Sequence, residues 1–332
     1  MSINARLQIL KQVLTRKWYN DQRTPLDLAT GDLRGQTVAI TGSNVSMHAV
    51  TADITGGLTH ATQRGIGSEA AKHFARMNLG RLILACRNMD AEKLAADKIT
   101  EETECNVFGL LQQRRKTSYR YLRWRCRNHE RNRTTEDEWE ASLQINYLSN
   151  ALLTMLLLPT ISIDSISKTR IILVTSEAHS FISRLEEADN PELVSKLNES
   201  EHCSKQVDFG KDNLLTKSNL LVPTVVAVSP GFCSSDVDSE APTSLLVRPT
   251  KRGRATFIAS TPEMGSRTII QAAVSDDAAI PHGKYLTNCR VEQESDYSRG
   301  EDGMIMQRRL WDETMHILKN VESGVETILQ VF

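Results

Sequence analysis

Hydrophobic positions along the chain alternate between short aliphatic runs and stretches with helical spacing. Aliphatic runs of this length, bounded by polar residues, are typical of buried parallel strands. Such runs predict strands at 37–41, 82–86, 171–175, 225–228 and 283–286. Apolar residues spaced three or four apart predict helices at 5–18, 68–77, 91–101, 139–156 and 310–318. This alternation predicts an α/β fold in which helices cover both faces of a parallel sheet.

A basic segment at 110–135 interrupts this pattern. It carries nine Lys or Arg residues between Arg114 and Arg133, one acid, Glu130, and neither a helical nor a strand period. Three interpretations are open: a patch for nucleic acid or an acidic partner, a solvated segment, or translation in a wrong frame at a misjudged exon boundary. The abrupt return of order at Glu136 favours the wrong frame, and we expect no nucleic-acid partner.

Composition narrows the class of protein. The 332 residues include 40 Lys or Arg and 41 Asp or Glu, a balance that argues against a nucleic-acid binder. The six cysteines show no zinc-type or paired spacing, which indicates a reduced, cytoplasmic protein. The longest apolar stretch, 148–158, is too short for a membrane span, and residues 1–28 lack the apolar core of a secretory signal.

Glycines follow the first predicted strand and open the helix after it. The strand runs into Gly42, Ser43 and Asn44, and the helix opens with Gly65, Ile66 and Gly67. Glycines let the backbone approach a pyrophosphate group, which the positive N-terminus of a helix attracts. These glycines therefore suit a dinucleotide site, although residues 46–64 lengthen the loop between them by 19 positions.

The second predicted strand is followed by Arg87 and Asn88. In a dinucleotide-binding fold this position meets the adenosine ribose, where an acid favours NAD and an arginine suits the 2′-phosphate of NADP. Arg87 therefore predicts NADP, with NAD as the other possible cofactor. The alternative is an ordinary solvated arginine at the end of a strand.

Without residues 46–64, the loop resembles the TGxxxGxG loop of the short-chain dehydrogenase/reductase family. Residues 32–35, 75–76 and 310–313 resemble the fungal branch that is similar to retinol dehydrogenases and WW-domain oxidoreductases. The resemblance implies one doubly wound Rossmann-type domain over 33–320, after a helical extension at 1–30. It also implies a small carbonyl or alcohol substrate, and family members are often homo-oligomers. The 46–64 segment is then either a tolerated surface insertion or a retained intron of 57 nucleotides, the reading we favour.

The resemblance also assigns roles to residues of the predicted site. Ser176 would orient the carbonyl, with Thr175 as the alternative, and Asn146 would belong to a water relay. Lys205 would hold the nicotinamide ribose, and Pro230 with Gly231 would line the nicotinamide. The family places an Asn-Asn-Ala-Gly strand end before the long helix, where this chain has the basic segment.

Glu201 stands where the family has its catalytic tyrosine, four residues before Lys205. The reference pKa of glutamate is about 4.3, against about 10 for tyrosine, so Glu201 would be ionised and a poor proton donor. We therefore expect an NADP-dependent oxidoreductase of fungal secondary metabolism with reduced turnover. The alternatives are a nucleotide-binding protein without catalysis and the product of a faulty gene model.

Overall fold

The structure is a computed structural model. It describes residues 32–41, 65–85, 89–109, 134–135, 137–140, 143–160, 169–181, 184–199, 223–231, 233, 260–275 and 279–331. The predicted helix at 5–18, the extension at 1–30, the 46–64 segment and most of the basic segment lie outside these residues. The chain divides into two compact units, and each is described by itself.

The first unit contains a three-stranded parallel sheet. Its strands are β1 (Thr37–Thr41), β2 (Arg81–Ala85) and β3 (Val107–Gly109), in the order β1-β2-β3. Thr37 pairs with Arg81, and Leu82 pairs with Val107. The first two strands confirm the prediction within one residue, whereas β3 is too short to have been recognised as an apolar run.

Two helices connect these strands, because parallel neighbours require a crossover rather than a tight turn. They are α1 (Ile66–Ala75) and α2 (Met89–Thr103), close to the predicted 68–77 and 91–101. Ala71 and Phe74 of α1 share one apolar core with Leu82 and Leu84 of β2, and all four are at most 2% exposed. Each fully buried leucine contributes about 1.5–3 kcal/mol to folding.

A later helix that the sequence pattern did not predict, α5 (Pro262–Val274), packs on α1 in this unit. Thr261 caps its start by accepting a hydrogen bond from the Met264 N–H at 3.2 Å. Ile270 joins the core beside Ala71. The pattern is weak because several buried positions of α5 are small or polar, including Ser266 and Thr268.

The second unit contains a four-stranded sheet with the order β4-β5-β6-β7. The strands are β4 (Arg170–Val174), β5 (Thr224–Ser229), β6 (Lys284–Thr287) and β7 (Arg290–Glu292). β4 and β5 are parallel, with Arg170 opposite Thr224. The predicted strands at 171–175, 225–228 and 283–286 are confirmed with shifts of one or two residues, whereas β7 was not predicted.

The helices of the later chain are α3 (Ser149–Leu157), α4 (Leu193–Leu197), α6 (Asp296–Arg299), α7 (Glu301–Val321) and α8 (Gly324–Val331). Met155 of α3, Val225 of β5, Leu318 of α7 and Val325 of α8 form one buried cluster. α7 begins nine residues before the predicted 310–318, and Gly303, Met306 and Leu310 are buried at helical spacing along this first part. Among the described residues, no helix has the length and apolarity to cross a membrane.

The predicted helix at 139–156 begins later than the apolar spacing suggested. Trp139 lies in a turn, where its carbonyl accepts the N–H of Thr135 at 2.8 Å and Glu138 adopts a φ of 64°. Helical structure starts near Leu143 with a π-helical turn, Gln144–Leu148, and continues into α3. The turn over 134–140 therefore removes the first part of the predicted helix.

The α/β class and the parallel pairing are confirmed, but the described strands form two sheets. In a doubly wound sheet, the strand that follows β3 pairs with β1. The chain has its basic segment there, and residues 110–133 lie outside the described residues. β1 alternates exposed and half-buried positions and Val174 of β4 is 59% exposed, whereas β5 is buried throughout. β1 and β4 thus have the exposure of edge strands.

Gly265 tests how tightly α5 is packed. A Cβ there would overlap Cys233 Sγ and lie 3.1 Å from the Pro230 carbonyl oxygen. We expect Gly265→Ala to cost about 1–3 kcal/mol from overpacking, more than the gain of up to about 1 kcal/mol in helix propensity. Urea unfolding measures this. The control Gly324→Ala places its Cβ 3.4 Å from the flexible Glu322 carboxylate and should lose no stability; equal effects of the two substitutions would contradict the packing.

Glu263 of α5 makes a pH-dependent contribution to the free energy of unfolding. Partial burial raises the pKa of Glu263, but the charges and hydrogen bonds of Arg267 and His73 outweigh it and hold the pKa below its ordinary value of 4.5. The stability that the charged carboxylate adds is therefore fully present above pH 4.5 and is lost as the pH falls through the lower folded-state pKa. The difference in unfolding free energy between the wild type and Glu263→Gln should shrink between about pH 5 and pH 3. A difference in unfolding free energy that stays constant over this pH range would contradict a lowered pKa of Glu263.

Candidate cofactor and substrate site

The N-terminus of α1 has the features expected of a phosphate site. Gly65 is the residue before its first turn and supplies no side-chain cap, while its carbonyl accepts the Glu69 N–H at 3.1 Å. The first backbone N–H groups of a helix lack intrahelical acceptors and carry partial positive charge. Ile66 and Gly67 form the start of this turn, as predicted.

Ser68, in the same turn, gives a test of whether a phosphate group fits. Its side chain is 1% exposed, and its Oγ has no hydrogen-bond partner among the described residues. A buried hydroxyl without a partner costs about 1–3 kcal/mol, a penalty that a bound oxyanion would remove. The residues present at this turn therefore fit a dinucleotide phosphate. Gly42, Ser43, Asn44, Arg87 and Asn88 lie outside the described residues and stay predictions.

The Pro230–Gly231 turn, also predicted, is held by local hydrogen bonds. The Gly231 N–H donates to Ser229 Oγ at 3.3 Å, and Cys233 Sγ donates to the Pro230 carbonyl at 3.3 Å. Gly231 has a φ of 77°, a conformation that favours glycine. Ser229 therefore has a direct role in closing the turn.

Ser176 lies just beyond the carboxyl end of β4. Thr175 extends the pairing of β4 with β5, since its N–H donates to the Val228 carbonyl at 2.7 Å. The Ser176 carbonyl accepts from His179 Nδ1 at 2.7 Å, and the His179 ring meets the Tyr285 ring edge-on at 4.9 Å. These contacts fix the backbone of Ser176 at the strand end, where parallel sheets bind ligands.

Thr175 is the alternative hydroxyl to Ser176. Its Oγ1 is buried and has no hydrogen-bond partner among the described residues. Thr175 and Ser176 are both half-buried residues. Both hydroxyls therefore stay candidates at this strand end, and the preference for Ser176 rests on the sequence resemblance.

Asn146 is exposed and lies inside the π-helical turn, not in a regular α-helix. The backbone N–H of Ser149 donates to the Gln144 carbonyl, five residues earlier, which is the π-helical pattern, and the Ser149 Oγ donates to the same carbonyl. The carbonyl of Asn146 accepts from Asn150 Nδ2 at 3.0 Å. The apolar spacing could not have shown this turn, because it does not distinguish this backbone pattern from that of an α-helix.

Tyr147 is the tyrosine next to Asn146. Burial and the negative charge of Glu313 raise the pKa of Tyr147 to about 12, against the opposing effect of a hydrogen bond with Thr314 Oγ1 at 2.8 Å. A proton donor for carbonyl reduction works best with a pKa near the operating pH. Tyr147 is thus unsuited to replace the tyrosine that the chain lacks at position 201.

Glu201 and Lys205 lie outside the described residues, so their placement stays a prediction. Within the parts of the chain that the structure describes, no group of three or more His, Cys, Asp or Glu side chains could hold a metal ion. Of the predicted site residues that the structure describes, the first turn of α1 and the Pro230–Gly231 turn belong to the first unit, and Ser176 and Asn146 belong to the second.

No protein-family profile matches the chain. Among solved structures, it resembles a putative NAD(P)-dependent gluconate 5-dehydrogenase from Beutenbergia cavernae, at 17% identity and a TM-score of 0.46, over 77% of this chain and 96% of that one. It also resembles L-sorbose reductase from Gluconobacter frateurii, at 12% identity and a TM-score of 0.45, over 77% and 95%. Both TM-scores are below 0.5, so the assignment to a family depends on sequence relatives.

Three fungal proteins match nearly the whole chain. Short-chain dehydrogenase anuD of Penicillium roqueforti is 27% identical over 90% of this chain and 82% of its own length. Short chain dehydrogenase/reductase dmxR8 of Cryptosporiopsis is 25% identical over 92% and 98%, and ffsI of Aspergillus flavipes is 24% identical over 96% of each chain. The narrower likeness to retinol dehydrogenases and WW-domain oxidoreductases stays a prediction. The chain is therefore a relative of the fungal short-chain dehydrogenases/reductases.

Proposed function

We propose that this protein is an NADP-dependent oxidoreductase that interconverts a carbonyl and an alcohol on a small molecule. The observation that carries the proposal is the β1–α1–β2 unit, in which an uncapped helix opened by Gly65 follows a parallel strand. The fungal short-chain dehydrogenase relatives, matched over at least 90% of the chain, support the same reaction class.

The proposed cofactor site uses the first turn of α1 for the pyrophosphate. Its first N–H groups, which have no acceptor within the helix, and the buried Ser68 hydroxyl favour an anion there. Arg87 supports NADP over NAD, since a guanidinium suits the 2′-phosphate. When bound, NADPH supplies the hydride, and the protein's own residues bind and orient the reactants.

Ser176 is proposed to donate a hydrogen bond to the carbonyl oxygen of the substrate. Its backbone is fixed by the His179 contact, which limits the positions its hydroxyl can take. Asn146 is proposed to hold a water for proton relay, and Lys205 to hold the nicotinamide ribose. The Pro230–Gly231 turn would line the nicotinamide.

Glu201 limits this chemistry, because an ionised carboxylate has no proton to give the developing alkoxide. We therefore propose slow turnover by the chain as written. Glu201 also favours a second candidate, a protein that binds NADPH without turning it over. A cytoplasmic role in fungal secondary metabolism is part of the main proposal, supported by the fungal origin of the relatives.

Restoring a tyrosine tests the proposal. Glu201→Tyr should raise NADPH oxidation with a panel of small ketones by about 10²–10⁴-fold, the usual contribution of a positioned acid–base group. The control Glu199→Tyr places the same ring two residues earlier, at an exposed position, and should leave the rate at the wild-type level.

Comparable rates for the wild type and Glu201→Tyr would contradict the role assigned to position 201. If NADPH raises the melting temperature of both proteins but neither oxidises it, the second candidate is correct. If NADPH has no effect on either, both candidates fail for the chain as written.

A further inference from the structure

The Glu263 carboxylate joins two helices of the first unit. Its Oε1 lies 3.1 Å from His73 Nε2 of α1, and both of its oxygens accept from the Arg267 guanidinium at 2.8 and 2.9 Å. The side chains of His73 and Arg267 are each 16% exposed, and that of Glu263 is 35% exposed. Solvent screens such a partly buried cluster less than it screens a surface ion pair.

The first turns of α5, which carry Glu263, also pack closely against the Pro230–Gly231 turn. A Cβ at Gly265 would lie 3.1 Å from the Pro230 carbonyl oxygen and 3.2 Å from the Pro230 Cβ, so only a residue without one allows this approach. Cys233 connects both sides, since its Sγ donates to Pro230 and its backbone bridges Ser260, just before α5. A shift of the α5 N-terminus would therefore move Pro230.

We propose that Glu263 is a positioning residue that couples the phosphate-binding helix α1 to the Pro230–Gly231 turn. The coupling runs from His73 through the Glu263 carboxylate into α5, and from Gly265 onto Pro230. This inference rests on the proposed function, which assigns α1 to the pyrophosphate and the turn to the nicotinamide.

Loss of the Glu263 carboxylate should weaken the binding of the nicotinamide half of the cofactor and leave the binding of the phosphate half unchanged. In this pathway α5 contacts the turn directly through Gly265, whereas α1 is also held by the core through Ala71 and Phe74. Loss of the carboxylate should therefore loosen the turn and leave the α1 N-terminus in place. A residue that only stabilised the unit would change the binding of both cofactor halves together, or of neither.

The first test compares NADPH with adenosine 2′,5′-bisphosphate, which lacks the nicotinamide half. Glu263→Gln should weaken NADPH binding about fivefold or more, while the affinity for the bisphosphate changes less than about twofold. The matched control is Glu69→Gln, which removes an ion pair with Lys72 at 2.9 Å within α1 and should keep the ratio of the two affinities at its wild-type value. Equal weakening of both ligands by Glu263→Gln would overturn the proposal.

The second test needs no cofactor. Amide hydrogen exchange of the full chain should be faster at 229–233 in Glu263→Gln than in the wild type and in Glu69→Gln, with exchange in α2 unchanged. Unchanged exchange at 229–233 would overturn the coupling. If the wild type binds neither ligand, the proposed function fails, and the exchange result still decides the coupling. His73→Phe removes the imidazole nitrogens, so it breaks only the α1 side, and it replaces Glu263→Gln should that variant fail to fold.

Discussion

Parallel pairing of β1 with β2 is the constraint on which the first unit depends. Two parallel neighbours cannot be joined by a tight turn, so the chain must cross over the sheet in α1 before it returns as β2. The crossover brings the helix N-terminus to the carboxyl end of β1, where open parallel sheets bind ligands. The glycines at 65 and 67 therefore lie where backbone N–H groups can meet a phosphate.

The described strands fall into two sheets. A doubly wound sheet continues from β1 to the strand that follows β3 along the chain. In this sequence the basic segment stands at that point, outside the described residues, and its nine cations in 20 positions give no aliphatic run of the kind that predicts a buried strand. Val174 and alternate residues of β1 are exposed, whereas β5 is buried throughout.

The sequence predicted the strands best where a single aliphatic run corresponds to a single strand. β1, β2, β4 and β5 were predicted within two residues, because short aliphatic runs between polar residues have few other structures available. α5 was missed because two of its buried positions, Gly265 and Ser266, have no apolar side chain. The π-helical turn at Asn146 follows from the backbone bond between the Ser149 N–H and the Gln144 carbonyl, and the high pKa of Tyr147 depends on burial and on Glu313. Such contacts cannot be inferred from local apolar spacing.

We propose that the first turn of α1 and Arg87 together bind NADP. Isothermal titration of the full chain with NADPH and NADH tests this most directly, since it requires no catalysis and does not depend on Glu201. We expect about one NADPH bound per chain, with an affinity at least about tenfold higher than for NADH because of the 2′-phosphate. No detectable binding of NADPH, or equal affinities for the two cofactors, would contradict it.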